Sequence, residues 1–192
     1  MPAEPPPSAV NVDDPRRPSV EGERTRLRIS AIIAARNEAH TIGRCLDSLR
    51  WVDEVVVVDS GSTDETKAIA RRHNCRVIES EWLGYGKTKR LAVDSATHDW
   101  ILSIDADEVV SDPLRERILL ILTEGPRHSG YRIPFTNFYL GRKIRVSALR
   151  REHHLRFFDR RKGNYTDREL HETVRLEGSR TQLTEPILHY SY

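Results

Sequence analysis

The chain is poor in cysteine and has no long apolar run, and both shortages exclude whole classes of protein. Cys45 and Cys75 are the only cysteines among 192 residues. Two cysteines are too few for a disulfide framework and fit a reducing compartment. No run approaches the roughly 20 apolar residues that a membrane-spanning helix needs. We therefore expect a domain that folds around an ordinary hydrophobic core, without disulfides or membrane spans.

The first 28 residues lack aromatic side chains altogether and hold six of the ten prolines. Such a composition cannot bury enough apolar surface to offset the entropy of ordering, so residues 1–27 are predicted to be a disordered tail. The tail also lacks the apolar h-region of a secretory signal. Residues 28–192 are long enough for one domain with a core.

Short apolar runs alternate with amphipathic stripes through the first half of that domain. The stripe of Ile42, Cys45, Leu46 and Leu49 has the i, i+3, i+4, i+7 spacing of a helix. Buried strands are predicted at Arg28–Ala35, Glu54–Asp59, Cys75–Glu79 and Asp99–Ile104. Further helices are predicted after Ser62, whose spacing to Glu65 is that of a capping box, over Tyr85–Ala96, and from Asp112 as an N-cap before Pro113. This alternation predicts an α/β fold with a mostly parallel central sheet and helices on both faces.

The second half has a different pattern and a basic charge. Short strands at Gly130–Phe135, Leu155–Asp159 and Thr173–Leu176 are separated by polar loops, which predicts mixed or antiparallel pairing. From Arg142 to Arg180 there are 12 Lys and Arg but 6 Asp and Glu, a balance of 12 − 6 = +6. Such a balance attracts phosphate groups, although a solvated basic face is the plain alternative.

Acidic side chains follow the predicted strands of the first half. Glu38 follows the first strand, Asp59 ends the second, and Asp105 and Asp107 follow the fourth. Ligands bind beyond the carboxyl ends of such strands, so we expect these side chains at one edge. Two carboxylates two residues apart suit Mg²⁺ or Mn²⁺, which also take phosphate oxygens, whereas a solvated strand exit is the alternative.

The usual nucleotide-binding motifs are absent. No Gly-x-Gly-x-x-Gly follows the first strand. The stretch from Gly84 to Thr88 looks like the end of a phosphate-binding loop, but Glu81 stands where that motif requires glycine. A nucleotide would therefore have to be bound in another way.

Three stretches follow one another within about Ile29 to Asp112 and read SAIIAARNEAHTIGRCLDSL, VDEVVVVDSGSTDET and DWILSIDADE. In this order and spacing they resemble the family 2 glycosyltransferases, which are inverting nucleotide-sugar transferases of the GT-A fold. A further set, GYGKTKRLAV, GRKIR, LRFFDRRKG, LHETV and LHYSY, is similar to the subgroup that adds glucose to the inner core of lipopolysaccharide. The resemblance implies a nucleotide-sugar-binding half over 28–125 and an acceptor half over 126–192.

The resemblance also implies the residues of a donor site. Asp59 would recognise the base, usually uracil, and Arg36 stands where many members have an aromatic residue. Asp105 would lie near ribose and metal, and Asp107 directly on a Mn²⁺ or Mg²⁺ ion that assists catalysis. The remaining substrate-binding and metal-binding candidates are Ala35, Glu38, Gly61, Lys87, Lys89, His171 and His189. Lys87 and Lys89 are two residues apart on one helix, so at most one of them faces the site.

For the acceptor, the resemblance implies Glu172 as the catalytic base, with Asp167 and Glu169 as alternatives. Arg142 and its basic neighbours would meet phosphates of the acceptor or an anionic membrane. The expected reaction is the metal-dependent, inverting transfer of a hexose such as glucose from a UDP-sugar. The expected acceptor is a phosphorylated glycan or glycolipid, such as the lipopolysaccharide core, and no nucleic acid is expected as a partner. Such an enzyme would be cytoplasmic, with a peripheral contact at the inner membrane.

Two other classes remain open from the residues alone. A sugar-phosphate nucleotidyltransferase would share the sheet and the metal, but needs a Gly-rich basic loop after the first strand. A catalytically weak or truncated nucleotide-sugar-binding module would hold the nucleotide without turnover, so a product assay separates it from an enzyme.

Overall fold

The computed structural model describes residues 26–139, 142–143, 153–166 and 173–191. Residues 1–25 of the predicted disordered tail therefore lie outside the described residues. In the first half the elements are β1 Ile29–Ala35, α1 Ile42–Asp47, β2 Glu54–Asp59, α2 Thr66–Arg72, β3 Arg76–Glu79, α3 Tyr85–Ser95, β4 Trp100–Ser103, β5 Glu108–Val110 and α4 Asp112–Glu124. In the second half they are β6 Gly130–Tyr139, β7 Arg142–Lys143, β8 His153–Asp159, β9 Gly163–Tyr165, β10 Val174–Leu176, β11 Arg180–Gln182 and β12 Ile187–Ser191.

The first half has the predicted α/β arrangement. Strands β3, β2, β1 and β4 lie side by side in that order and are all parallel. Because successive strand residues point to opposite faces, Ile33 packs into one core and Ile32 into another. The first core includes buried residues of α1, α2 and α4, and the second includes those of α3. Helices thus cover both faces of the parallel sheet, as the alternating pattern predicts.

The second half extends this sheet with mixed strands, which confirms the expected change in pairing. Strand β8 runs antiparallel beside β4, and β6, β12 and β5 follow it in order. The last strand, β12, is parallel to β6 and antiparallel to β5. It therefore lies between two strands that come much earlier in the chain. A separate pair, β9 and β10, packs Tyr165 and Leu176 into the core that α3 covers.

Two predicted helix starts are wrong in detail. Ser111, rather than Asp112, is the N-cap of α4, and its hydroxyl accepts from the N–H of the third residue after it. The capping box of Ser62 and Glu65 does not form, because the hydroxyl of Ser62 accepts from the backbone N–H of Asn37 instead. That hydrogen bond joins the loop after β1 to the loop after β2, so a tertiary contact replaces the expected local one.

The first described residues form hydrogen bonds with the rest of the domain. The Leu27 N–H donates to the carbonyl of Leu122 at 3.1 Å, and the Arg26 guanidinium pairs with Asp53 at 2.7 Å. None of the described helices combines the length and the apolar character needed to cross a bilayer.

Candidate active site

The carboxyl ends of β1, β2 and β4 form one edge of the sheet, where the acidic residues come together. Ala35 and Asp59 are register partners at the ends of β1 and β2. Residues Asp105 to Asp107 form the turn between β4 and β5 at the same edge. The candidate residues follow three strands, β1, β2 and β4. These strands are parallel neighbours, so their carboxyl ends and the residues after them lie on one surface.

Asp59 is buried and carries an acceptor without a partner. The residue is 1% exposed, and its Oδ1 accepts from the N–H of Ser62 at 2.9 Å. Its Oδ2 is shielded from water and has no hydrogen-bond partner among the described residues. A buried carboxylate oxygen without a donor costs free energy, so this position favours a ligand that brings an N–H or O–H.

The loop after β1 is held against the loop after β2. Asn37 has a positive φ of 56°, and its side-chain oxygen accepts from the Thr63 N–H at 2.9 Å. Glu38 is half-buried and accepts from the Thr41 hydroxyl at 2.7 Å, and burial raises the pKa of its carboxyl. Gly61 also lies at positive φ, 80°, where a side chain would strain the backbone. Within the first motif, Ala35 is buried in the core and Arg36 is exposed.

Asp105 is one-third exposed and pairs with two buried cations. The Nζ of Lys89 is 2.8 Å from its Oδ1, and an Nη of Arg156 is 2.8 Å from its Oδ2. The same Arg156 nitrogen is 2.9 Å from Glu108, which also accepts the backbone N–H of Asp105. Burial acts to raise the pKa of Asp105, but the two cations outweigh it and hold that pKa well below its ordinary value. Burial raises the pKa of Glu108 to about 7.

Asp107 has a different environment, since its carboxylate faces a single imidazole among the residues that the structure describes. Its Oδ2 is 3.0 Å from His189 Nε2, and both side chains are about one-third exposed. This hydrogen bond raises the pKa of His189, whose Nδ1 lies 3.3 Å from the side-chain oxygen of Asn137. The pair is close because β12 places His189 beside Glu108 of β5.

The pair of Asp107 and His189 has the chemistry of an incomplete metal site. Within the described part of the chain, no three His, Cys, Asp or Glu side chains are grouped closely enough to hold a metal ion. Mg²⁺ in phosphate-binding sites commonly takes one or two carboxylates and completes its shell with phosphate oxygens and water. Imidazole and carboxylate also suit Mn²⁺, so these residues fit a divalent ion that a nucleotide would help to bind.

The other predicted site residues divide into three groups. Of the two lysines on α3, Lys89 is buried against Asp105 and Lys87 is exposed. Arg142 lies in β7, where it pairs with Tyr139 of β6. The candidates His171 and Glu172, with the alternatives Asp167 and Glu169, lie outside the described residues.

The sequence reading missed Arg156 as a site residue. It lies between the apolar residues Leu155 and Phe157 in β8, and it is only 9% exposed. An arginine inside an apolar strand was the available signal, since a buried guanidinium needs anionic partners. Tyr165 was also missed; its hydroxyl donates to Ser103 at 2.7 Å beside the ion pairs of Asp105.

Comparisons with known proteins give consistent results. Residues 30–176 match the profile of Glycosyl transferase family 2. The chain is 31% identical over 172 residues to the lipopolysaccharide core biosynthesis glycosyltransferase LpsC of Rhizobium meliloti (strain 1021), covering 86% of this chain and 64% of that protein. It is 49% identical over 92 residues to an uncharacterized glycosyltransferase of Rickettsia felis, covering 47% of this chain and 32% of that protein.

Among solved structures, the chain is similar to S. aureus TarS 1–349 in complex with UDP-GlcNAc. The TM-score is 0.51 at 25% identity, and the match covers 63% of this chain and 38% of TarS. The chain therefore spans less than two-thirds of each of these relatives.

Proposed function

This chain belongs to glycosyl transferase family 2, and we propose that it transfers a hexose from a UDP-sugar to a glycan acceptor with inversion. The observation that carries the proposal is the sheet edge that holds two features. Asp59 ends β2, and its Oδ2 has no hydrogen-bond partner among the described residues, while the pair of Asp107 and His189 lies at the turn after β4. One end of this edge suits a nucleobase and the other a metal-bound diphosphate. The UDP-GlcNAc held by TarS, a structure of the same fold, supports a UDP-sugar as the donor.

The base-binding step rests on Asp59. Its Oδ2 is an acceptor, and uracil offers an imide N–H that cytosine lacks. Because the oxygen is buried, a base without this donor would leave it unpaired, at a cost of about 1–3 kcal/mol. Arg36, Glu38 and Gly61 lie on the loops beside it and would contact the nucleoside.

The diphosphate would lie between Lys89 and Asp107. Asp107 and His189 would hold Mn²⁺ or Mg²⁺, which supplies charge neutralisation to the leaving diphosphate. Lys89 adds a cation that is already fixed by its ion pair with Asp105, so little side-chain entropy is lost when phosphate binds. Lys87, which is exposed on the same helix, would contribute only long-range attraction.

The acceptor hydroxyl needs a base on the face of the sugar away from the diphosphate, because inversion requires attack from that side. We assign this role to Glu172, with Asp167 and Glu169 as the alternatives. The described residues that flank this segment are fixed, since the Thr166 N–H donates to the Thr173 carbonyl at 3.0 Å.

A phosphorylated envelope glycolipid is the proposed acceptor, with glucose as the proposed sugar. Support comes from the relative LpsC, whose name refers to the lipopolysaccharide core, and from the basic balance of the second half. Arg142 would approach acceptor phosphates. The proposed location is the cytoplasm, with peripheral contact at the inner membrane.

The test is product formation from UDP-glucose, UDP-galactose and UDP-GlcNAc with a core oligosaccharide, detected by mass spectrometry. Asp107→Asn should abolish transfer, and Asp47→Asn should not, since the described side-chain partners of Asp47 are Arg50 and His73, away from the donor edge. UDP binding without product from any donor would favour the binding module. Absence of UDP binding would overturn the transferase proposal itself.

A further inference from the structure

The carboxyl ends of β1, β2 and β4 form the proposed donor edge. A second concave site lies next to it, and the two share a wall that contains Lys89. It is a cavity of about 200 Å³ lined by residues of β6, β8 and β10, among others. Strands β1 and β4 separate β8 from β2, which ends at Asp59. Its basic lining residues are Lys89, Arg132, His153, His154, Arg156 and Arg180. The described residues that line it include no carboxylate, so the cavity is electropositive.

Two of its cations are paired with a carboxylate, and two form no ion pair with any described residue. Lys89 and Arg156 pair with Asp105 and form the wall that the cavity shares with the donor edge. Arg132 and Arg180 are exposed and form no ion pair with any described residue, although Arg180 donates to the carbonyl of Leu176 at 2.7 Å. The planar guanidinium matches phosphate oxygens in a two-pronged geometry, so these arginines favour a phosphoryl group over a neutral sugar.

The size of the cavity limits what it can hold. Sites for whole small-molecule ligands enclose about 300–1,000 Å³, and this cavity is smaller. It suits one phosphorylated group rather than a nucleotide. We propose that this cavity binds a phosphate monoester of the glycan acceptor and so orients the acceptor beside the donor edge. The role of the acceptor in this inference rests on the proposed function, whereas phosphate binding by the cavity does not.

Titration calorimetry with glucose 6-phosphate and with glucose tests the cavity directly, since the two probes differ by the phosphate. Arg132→Ala and Arg180→Ala should each weaken glucose 6-phosphate binding about tenfold, which corresponds to the loss of about 1.4 kcal/mol. Arg175→Ala is the matched control, because Arg175 is an exposed arginine on β10 that does not line the cavity. It should leave the affinity unchanged, and glucose should bind to none of these proteins.

A second titration, with UDP and Mn²⁺, identifies the source of the phosphate. UDP affinity should be the same in the wild type and in both cavity variants. If the variants weaken UDP as much as glucose 6-phosphate, the cavity holds the donor diphosphate, and the acceptor assignment is wrong. If neither variant weakens glucose 6-phosphate, or if glucose binds equally well, the cavity is not a phosphate site. Loss of UDP binding in Asp107→Asn alone concerns only the donor site, so failure of the two proposals can be told apart.

Discussion

The two aspartates of the turn after β4 should respond very differently to the same substitution. Both aspartates are about one-third exposed, but their described partners differ. Asp105 compensates Lys89, whose side chain is 5% exposed, whereas Asp107 pairs with His189, which is about one-third exposed. Replacing either aspartate by asparagine removes one charge and keeps the shape of the side chain. We therefore expect Asp105→Asn to destabilise the fold strongly and Asp107→Asn to leave it nearly intact.

The magnitudes follow from the burial of the partners. Removing one member of a buried ion pair leaves an uncompensated charge, which costs about 3–5 kcal/mol. Breaking an exposed pair costs about 0–1 kcal/mol. A domain of this size loses about 2–4 °C of Tm per kcal/mol, so Asp105→Asn should lower Tm by about 6–20 °C, and Asp107→Asn by about 4 °C at most.

Thermal and urea unfolding of the two variants measure this difference, and a double-mutant cycle identifies its source. Lys89→Met removes the cation at nearly constant volume. The double variant of Lys89→Met with Asp105→Asn should be less destabilised than the sum of the two single variants, because it leaves no unpaired charge. UDP binding with Mn²⁺ supplies the functional readout, which Asp107→Asn should abolish.

Two results would refute this reasoning. Equal unfolding free energies for Asp105→Asn and Asp107→Asn would mean that burial of Lys89 does not set the cost. Strict additivity in the cycle would mean that Lys89 and Asp105 do not stabilise one another, despite their distance of 2.8 Å.

The remaining predictions concern nucleotide affinity, a helix cap and pH. Asp59→Asn should weaken UDP about tenfold in calorimetry, because an amide donor replaces the free acceptor; an unchanged affinity would exclude base recognition there. Ser111→Ala should cost about 1 kcal/mol in urea unfolding through loss of the N-cap of α4, and no change would contradict the capping geometry. Burial acts to raise the pKa of Glu54, but hydrogen bonds from Ser30 and Thr97 outweigh it and lower that pKa below its ordinary 4.5. The stability that this lowered pKa contributes is present above pH 4.5 and is lost as the pH falls through the lowered value. Glu54→Gln should therefore flatten the acid side of the curve of unfolding free energy against pH, measured by urea unfolding. An unchanged pH dependence would contradict this role of Glu54.

Local pattern was sufficient for much of the fold. The run Glu54–Asp59 predicted β2 with its observed bounds, because a continuous β-branched segment between turn residues has few other stable conformations. The same local argument failed at Ser62, whose hydroxyl binds Asn37 across 25 residues. The short strand β5 was also missed, since its three residues take their pairing from β12.

The sequence by itself determined the strands and helices of the parallel half, because their periodicity is local. It also predicted a shared edge for Asp59, Asp105 and Asp107, because each follows a predicted parallel strand. Only the tertiary structure decided what surrounds each carboxylate. Arg156 reaches Asp105 across 51 residues, and His189 reaches Asp107 across 82. Those contacts depend on β8 lying beside β4 and on β12 lying between β6 and β5. Long-range pairing of this kind leaves no periodic signal in the sequence, so the charge and the ligands of each acid appear only once the sheet is assembled.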